Sequence, residues 1–504
     1  MDAGAGSGWL DRLDAAFHQF VVAPLESVIF FDVAFWDGGG GAPDVQVPLV
    51  VFWLIASAVF FTLRFRFINF RGFRHGLDCV LGRYSRPGDS GDISHFQALS
   101  AALSGTVGLG NIAGVAVAIG IGGPGATLWM LVAGFLGMTS KFAEVTLGQM
   151  YRRQRGDGRI SGGPMHYLRD GLAELGFPRI GRGLSLLFAL MCIGGSFGGG
   201  NMFQANQSYE QMALVSGLLG FRLDSLVFGA ALALLVGLVI VGGVRRIGRV
   251  ASALVPAMCG LYLLCGGWIL LVHAAAIPAA LGTIVGSAFS LEAGLGGAVG
   301  VLIQGFRRAL FSNEAGCGSS AIVHSAARTE EPVREGLVAL LEPFIDTLIV
   351  CHMTALVVVV TGAWNEPAAG RGIAMTSWAF ATVFPWFPYL LSVAAFLFAF
   401  STMISWSYYG EQCWAHLFGT RSILAYQLLF LLFTCLGAVF DAAAVMDFGD
   451  MMILGMAFPN LVGVLLLSGR IREQLDAYLV RLRAGAFPRR DELVATPRES
   501  VSPA

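Results

Sequence analysis

The feature that most constrains this chain is an apolar stretch, residues 100–122, that is long enough to cross a bilayer yet carries Gly105, Gly108, Gly110 and Gly114 at its centre. A simple membrane anchor would place leucines there. In hydrocarbon an unpaired backbone N–H or C=O group is costly, so a broken helix persists only where it lines a polar cavity. The stretch therefore predicts a broken membrane helix beside a binding site.

The composition assigns the rest of the chain to the lipid bilayer as well. Hydrophobic residues make up 56% and charged residues 13%, whereas a soluble domain carries about a quarter charged residues. The net charge of -1 gives no indication of a nucleic-acid partner. The eight cysteines form no CxxC pair and no cluster with histidine. We expect them to be small buried apolar residues, and we expect no cofactor.

Hydropathy predicts an all-α, polytopic membrane protein with about eleven transmembrane helices of roughly 20 residues each. An interfacial segment, residues 1–44, is expected to precede them. The predicted crossings are residues 45–67, 100–122, 124–151, 184–214, 225–241, 250–274, 294–324, 335–361, 387–416, 423–440 and 445–468.

Arginines indicate how these crossings are oriented. The connections after the first, third, fifth and seventh crossings are rich in arginine, as is the tail, residues 469–504. Arginines that flank membrane spans are retained on the cytoplasmic side. We therefore expect a multi-pass protein of a bacterial-type plasma or inner membrane, with its N-terminus outside and its C-terminus in the cytoplasm.

An odd number of crossings suggests one extra helix, residues 45–67, followed by two five-helix repeats, residues 95–275 and 281–468. Five crossings per repeat invert the second repeat relative to the first, as in many secondary transporters. The first helix of each repeat would then be the broken one. In the second repeat that helix is residues 294–324, and its expected interruptions are Gly297, Gly300, Gln304, Gly305 and Gly316.

Several blocks of sequence resemble the alanine/glycine:cation symporter family, the sodium:alanine symporters. The resemblance extends from about His95 to Ser468, and it implies a LeuT-type fold with one additional N-terminal helix. It also implies uptake of a small neutral amino acid with sodium or, in some members, with protons. The blocks are residues 98–103 (ALSAAL), 108–115 (GLGNIAGV), 122–126 (GGPGA), 141–144 (KFAE), 305–308 (GFRR), 311–316 (FSNEAG), 405–411 (SWSYYGE) and 459–461 (PNL).

The broken helix suits a zwitterion because it offers partners without fixed charge. Its second half presents free N–H groups for a carboxylate, and its first half presents free carbonyls for an ammonium group. We expect Thr106, Val107, Gly108, Leu109 and Gly110 to supply this backbone. The alternative is a packing face of small residues, since two of the glycines stand four positions apart.

Sodium is a hard cation that prefers oxygen ligands. The side-chain carbonyl of Asn111 and the backbone of Ser104, Thr106 and Val107 are candidate ligands. The family resemblance sets the hydroxyls of Ser401 and Thr402 opposite Ser104 and Val107 at one sodium site. Alternatively, both hydroxyls bond to their own helix.

Further polar and aromatic side chains are candidates for contact with the substrate. Asn201 and Gln204 share one helix face, and amides in lipid require partners. Gln304 and Phe306 are expected to face them, and Trp406 to cap the pocket. The alternatives are hydrogen bonding between helices for the amides and simple packing for the tryptophan.

Charged residues within the crossings must pair or be neutralised. Lys141, the only lysine, stands three residues before Glu144 and suggests an intrahelical pair. Arg307 and Arg308 are expected to meet Glu342 or Asp346, as a gate or as scaffold. Asp346 or Asp450 is the alternative candidate for a proton-coupling carboxylate.

These observations favour a sodium-driven symporter that moves alanine or glycine into the cell by alternating access. The alternatives are a proton-driven symporter on the same fold, a channel, or a membrane enzyme. The enzyme class requires a convergent catalytic set such as HExxH or a Ser/His/Asp trio, and the sequence offers none. We therefore assign no catalytic residue, and we expect the partners to be the amino acid, sodium and lipid.

Overall fold

The computed structural model describes residues 27, 29–33, 47–86, 88–156, 158–290, 294–440 and 442–490. Most of the predicted interfacial segment, residues 1–44, lies outside the described residues. So do residues 491–504 of the predicted tail.

The described residues are almost entirely helical. A two-residue antiparallel hairpin, β1 (Arg153–Gln154) with β2 (Ile160–Ser161), pairs Arg153 with Ser161. Single turns of 3₁₀ helix occur at Leu109–Asn111, Ala274–Ala276, Ala363–Asn365, Pro367–Ala369 and Thr420–Ser422, and π-helix at Gly198–Met202 and Phe344–Cys351. The α-helices are α1 (Leu49–Arg64), α2 (Ile68–Arg71), α3 (Phe73–Val80), α4 (His95–Thr106), α5 (Ala113–Gly122), α6 (Ala126–Met150), α7 (Pro164–Glu174), α8 (Pro178–Phe197), α9 (Phe203–Leu218), α10 (Ser225–Ile240), α11 (Gly243–Val272), α12 (Ile277–Ala288), α13 (Gly294–Asn313), α14 (Ser319–His324), α15 (Pro332–Ala339), α16 (Leu341–Pro343), α17 (His352–Val360), α18 (Ile373–Ala381), α19 (Phe387–Phe418), α20 (Ile423–Gly437), α21 (Ala442–Gly455) and α22 (Ala457–Arg483).

Many of these helices have the length and apolar character of membrane spans, which confirms the membrane prediction. Within the described residues, seven helical stretches meet that requirement, and the bent pair α4–α5 makes an eighth. Each of the eleven predicted crossings overlaps a helix, but α1 and α10 have only 16 residues each. The number eleven therefore stays a prediction. The seven stretches are Ala126–Met150, Pro178–Leu218, Gly243–Val272, Pro332–Val360, Phe387–Phe418, Thr420–Gly437 and Phe448–Arg483.

Helix α6 lies at the centre of the bundle, where it packs against α1, α13, α15 and α22. Its second half is almost wholly buried and includes Lys141 and Glu144. Helices α10 and α11 instead present apolar side chains such as Leu234 and Leu264 to the surroundings. A helix that is apolar on its outer face suits contact with lipid.

The arginine-rich connections meet at one end of the bundle, around the side chain of Asp92. Asp92 belongs to the connection after the first predicted crossing. Its carboxylate accepts hydrogen bonds from the Ile160 N–H at 3.0 Å and from the Arg245 guanidinium group at 2.8 Å. The Asp92 N–H donates to the Ala326 carbonyl at 2.8 Å. These partners belong to the connections after the third, fifth and seventh predicted crossings. Their convergence is what alternating crossings require.

The last helix continues beyond the predicted end of the last crossing. Helix α22 extends to Arg483, so residues 469–483 of the predicted tail are helical. Near its end, Arg481 forms an ion pair with Glu331 at 2.6 Å, at the same end of the bundle as Asp92.

The second broken helix is interrupted elsewhere than predicted. Gly297, Gly300, Gln304 and Gly305 all lie within the continuous helix α13, so the expected interruptions there are wrong. The chain breaks between α13 and α14, where Glu314, Gly316 and Gly318 have φ angles of 52°, 94° and 86°. Of the predicted positions, only Gly316 lies in this break.

Gly305 serves helix packing rather than a break. A Cβ atom at this position would lie 2.4 Å from the Ala126 carbonyl oxygen on α6. The two helices therefore approach at backbone distance, as small residues allow inside membranes.

This close contact makes a matched pair of substitutions informative. Gly305→Ala is expected to destabilise the protein by about 1–3 kcal/mol because the added methyl group forces α6 and α13 apart. Gly300→Ala on the same helix serves as the control, since no heavy atom lies within 4 Å of its added Cβ. The measurement is the thermal unfolding midpoint in detergent. Equal midpoints for the two variants would contradict the close contact.

Candidate functional site

The first predicted broken helix is broken, at Val107 and Gly108. Helix α4 ends at Thr106, and the following segment is bent by 60° from it. The Val107 N–H still donates to the Leu103 carbonyl at 2.7 Å, but the Gly108 N–H turns to Asn111 Oδ1 at 2.8 Å. The carbonyls of the last turn and the N–H groups that follow thus lose the partners that a continuous helix would supply.

Neighbouring helices stabilise this break. The Asn111 amide donates to Asp346 Oδ1 at 2.6 Å. The hydroxyls of Thr354 and Thr376 donate to the carbonyls of Asn111 and Ile112 at 2.8 and 3.0 Å. Irregular backbone at membrane depth is tolerated only when it is satisfied in this way or lines a cavity.

A small cavity of about 20 Å³ lies beside the break, between α4, α9, α13, α19 and α21. Two polar atoms in its wall, Gln204 Oε1 and Thr402 Oγ1, are buried and have no hydrogen-bond partner among the described residues. Such atoms are expected where a ligand completes the site. The wall consists of Gly105, Thr106, Gly108, Gly110, Gly199, Gln204, Phe311, Ser312, Glu314, Thr402, Trp406 and Ile453.

Five predicted substrate positions lie together in this wall: Thr106, Gly108, Gly110, Gln204 and Trp406. The close approach depends on glycine, because a Cβ on Gly108 would lie 2.7 Å from Thr402 Oγ1 and 3.4 Å from Gln204 Oε1. The other two backbone candidates, residues 107 and 109, bury apolar side chains in the core and do not line the cavity.

Three predicted substrate side chains lie elsewhere. Asn201 donates to the Phe430 carbonyl at 2.7 Å and accepts from the Thr434 hydroxyl at 2.8 Å, so it joins its helix to α20. Gln304 and Phe306 lie on the face of α13 that meets α5 and α6. The break in this region comes after residue 313, so these two positions are too early in the helix to reach the cavity.

The candidate sodium ligands bring the end of α4 against α19. The Ser104 hydroxyl donates to the Ser401 carbonyl at 2.5 Å. The hydroxyls of Ser401 and Thr106 bond within their own helices, to Phe398 at 2.9 Å and to Ala102 at 3.3 Å. Of this set, Thr402 is the one whose side-chain oxygen faces the cavity without a partner among the described residues.

Lys141 forms a buried cluster with two carboxylates. Its ammonium group lies 3.7 Å from Glu144, as the spacing predicted, and closer to Glu342, at 2.9 Å. It also contacts the Ser320 hydroxyl. Further along, Glu335 accepts from His324 at 2.6 Å and from the His95 ring, which extends this network of charged and polar side chains.

The expected partners of Arg307 and Arg308 were wrong. Both guanidinium groups lie near the Asp450 carboxylate, at 3.3 and 3.7 Å, because α13 presents them toward α21. Glu342 instead forms an ion pair with Lys141. The Asp346 carboxylate accepts hydrogen bonds from Asn111, Ser312 and Thr347. Among the described residues, the ion pairs of the two arginines are therefore with Asp450 rather than with Glu342 or Asp346.

Glu314 is a cavity residue to which sequence analysis assigned no role. It follows α13 directly and is 2% exposed. Its carboxylate accepts from the Trp406 indole N–H at 3.1 Å and from the Ser319 hydroxyl. The available signal was an ionisable residue followed two positions later by Gly316 in an apolar segment. The structure adds that the helix breaks there.

The chain resembles known transporters over nearly its whole length. The model of the sodium:alanine symporter family matches residues 43–492. The sodium/alanine symporter AgcS of Methanococcus maripaludis is 38% identical over 434 residues, which cover 86% of this chain and 94% of that protein. The putative sodium/proton-dependent alanine carrier protein YrbD of Bacillus subtilis is 34% identical over 458 residues, which cover 87% of this chain and 91% of that protein.

Among solved structures, the crystal structure of MhsT in complex with L-phenylalanine is similar with a TM-score of 0.50 and 14% sequence identity. The match covers 75% of this chain and 99% of that one. At this identity the similarity concerns the fold alone, and it supports the LeuT-type fold that the sequence blocks implied.

Proposed function

The chain belongs to the sodium:alanine symporter family, and on that basis we propose that it carries alanine or glycine into the cell together with sodium by alternating access. The family is one of membrane transporters rather than enzymes. The specific amino acid and the coupling ion are the parts that we propose.

The observation that carries this proposal is the helix break beside the cavity. N–H groups after Gly108 suit the carboxylate of an amino acid, and carbonyls at the end of α4 suit its ammonium group. The unpartnered Gln204 Oε1 supplies a further acceptor. The backbone groups of the break carry no net charge, which suits the two ends of a zwitterion.

The walls of the cavity favour a small substrate. Phe311, Trp406 and Ile453 limit the space for a side chain. The Cβ position of Gly108 is already within 2.7 Å of Thr402, so the backbone approaches the opposite helix closely. Alanine and glycine are the amino acids that this restriction favours.

We place the sodium ion between the end of α4 and α19. Carbonyl oxygens of residues 104–107, freed by the break, and the hydroxyl of Thr402 would be its ligands, since sodium prefers oxygen. The contact between Ser104 and the Ser401 carbonyl brings these oxygens to the same place. Asn111 is the weaker candidate for a sodium ligand, because its side-chain carbonyl oxygen already accepts a hydrogen bond from the Gly108 N–H.

Proton coupling is the second candidate, and Asp346 is the observation that favours it. Its carboxylate is fully buried and accepts hydrogen bonds from Asn111, Ser312 and Thr347. No ion pair among the described residues includes Asp346, so a proton or a bound cation would neutralise it. Asp450 suits this role less because Arg307 and Arg308 lie beside it.

We also propose the architecture that this mechanism needs: about eleven crossings, with residues 95–275 and 281–468 as inverted repeats. The cavity supports it, because Gly108 from the first break and Glu314 from the second both line its wall. We place the end of the bundle around Asp92 in the cytoplasm, since arginine-rich connections converge there.

Uptake into proteoliposomes tests the proposed function. With sodium imposed outside, radiolabelled alanine or glycine is expected to accumulate above its external concentration, and replacing sodium by choline at fixed pH is expected to abolish that accumulation. Liposomes without protein are the control. Uptake that persists without sodium but needs a proton gradient would favour the second candidate, and flux that never concentrates the substrate would contradict symport.

Filling the cavity tests its location. Gly108→Val is expected to abolish alanine uptake while the protein remains folded, because the new side chain would occupy the space beside Thr402 and Gln204. Gly114→Val is the control, since no heavy atom lies within 4 Å of a Cβ there. Uptake and the unfolding midpoint in detergent are measured for both. Retained transport by Gly108→Val would exclude this cavity as the substrate site.

The sodium site makes a separate prediction. Thr402→Ala is expected to raise the sodium concentration for half-maximal uptake by about tenfold, which corresponds to roughly 1.4 kcal/mol and to the loss of one ligand oxygen. The control is Thr283→Ala, whose hydroxyl donates to the Ala279 carbonyl of its own helix. An unchanged sodium dependence in the Thr402 variant would remove this residue from the sodium site.

A further inference from the structure

Glu314 lines the same cavity as the first helix break. Glu314 follows α13 directly and is 2% exposed. Gly108 and Gly110 of the other break line the same cavity. The wall of the cavity therefore combines glycines of the first break with an acidic residue of the second.

The backbone of Glu314 is held in an unusual conformation. Its φ angle is 52°, in the left-handed region that favours glycine, and only two other described non-glycine residues have positive φ. The next turn is fixed by Asn313, whose Oδ1 accepts from the Ala315 N–H at 3.0 Å. Strained conformations of this kind occur mainly at sites of function.

Neutral donors orient the carboxylate but leave it able to accept more hydrogen bonds. The Trp406 indole N–H donates to Oε1 at 3.1 Å, and the Ser319 hydroxyl donates to Oε2. An ionised carboxylate has about four acceptor positions. Two of these positions therefore have no donor among the described residues.

No positive charge within the described residues forms an ion pair with Glu314. The nearest candidate, Lys141, already lies 2.9 Å from Glu342 and 3.7 Å from Glu144. The single ammonium group of Lys141 is thus already shared between two other carboxylates. A buried ionised carboxylate without a counterion is unfavourable, so Glu314 is expected to take up either a proton or a cation, and the cavity that it lines is where a cation would meet it.

We infer that Glu314 binds the ammonium group of the transported amino acid, with Trp406 and Ser319 holding its carboxylate toward the cavity. This inference rests on the proposed function and adds to it the recognition of the substrate's amine. The helix break then binds the substrate carboxylate and Glu314 binds the amine. Only compounds that carry both a free amino group and a carboxylate satisfy the two ends.

The experiment compares Glu314→Gln and Glu314→Asp with the wild-type chain. Glu314→Gln keeps the size of the side chain and removes its charge, so it is expected to raise the alanine concentration for half-maximal uptake by at least about tenfold. Glu314→Asp is expected to have an intermediate effect. In both variants the sodium concentration for half-maximal uptake, measured at saturating alanine, is expected to stay within about twofold of wild type. Glu473→Gln, at an exposed position of α22, is the control.

A second readout isolates the amine. Propionate has the carboxylate and the apolar carbons of alanine but no amino group. In the wild type it should compete with alanine binding far more weakly than alanine itself. In Glu314→Gln the ratio of the two inhibition constants should fall by at least about tenfold, because the amine loses its charged partner.

The outcomes separate this inference from the proposed function. A wild-type chain without sodium-driven alanine uptake contradicts the proposed function. A wild-type chain that transports, beside a Glu314→Gln variant with unchanged alanine dependence and unchanged discrimination against propionate, overturns only the inference. A change in the sodium concentration for half-maximal uptake, without a change in the alanine concentration, also overturns the inference, since the carboxylate would then bind sodium rather than the amine. If Glu314→Gln fails to fold, Glu314→Asp decides by the same two readouts.

Discussion

A peptide group inside a membrane needs a hydrogen-bond partner, and the break between α4 and α5 exists because neighbouring helices provide most of them. Asn111 caps the Gly108 N–H, and Thr354 and Thr376 reach the carbonyls of residues 111 and 112. Thr106, Gly108 and Gly110 of the same segment line the cavity. The surrounding helices form hydrogen bonds with some backbone groups of the break and not with others. The groups without such bonds therefore determine where the site lies and how polar it is.

Glycines serve two different purposes in this bundle. Gly108 keeps a cavity open, whereas Gly305, Gly125 and Gly437 allow helices to touch, since a Cβ at each would lie within 2.6 Å of a backbone atom of a neighbouring helix. The same residue type thus produces a hollow in one place and close packing in another. The difference lies in what faces the glycine: side-chain oxygens at the cavity for Gly108, and the backbone of a neighbouring helix for the other three.

This ambiguity explains what the sequence could predict. The membrane class, the first break and the alternation of arginine-rich connections were predictable, because hydropathy and charge placement depend on the solvent around each segment. The position of the second break was not, since glycines inside α13 look like those of a break. Spacing places Arg307 and Asn201 on a helix face, but it does not say that Asp450 and Phe430 lie opposite them.

Lys141 has a practical consequence for work on this protein. It is the only lysine of the chain, and its side chain is fully buried between Glu342 and Glu144. Amine-reactive dyes and lysine-specific proteases therefore meet no accessible lysine while the helices stay assembled. Modification or cleavage at this residue would record the opening of the central helix α6, against a background free of surface lysines.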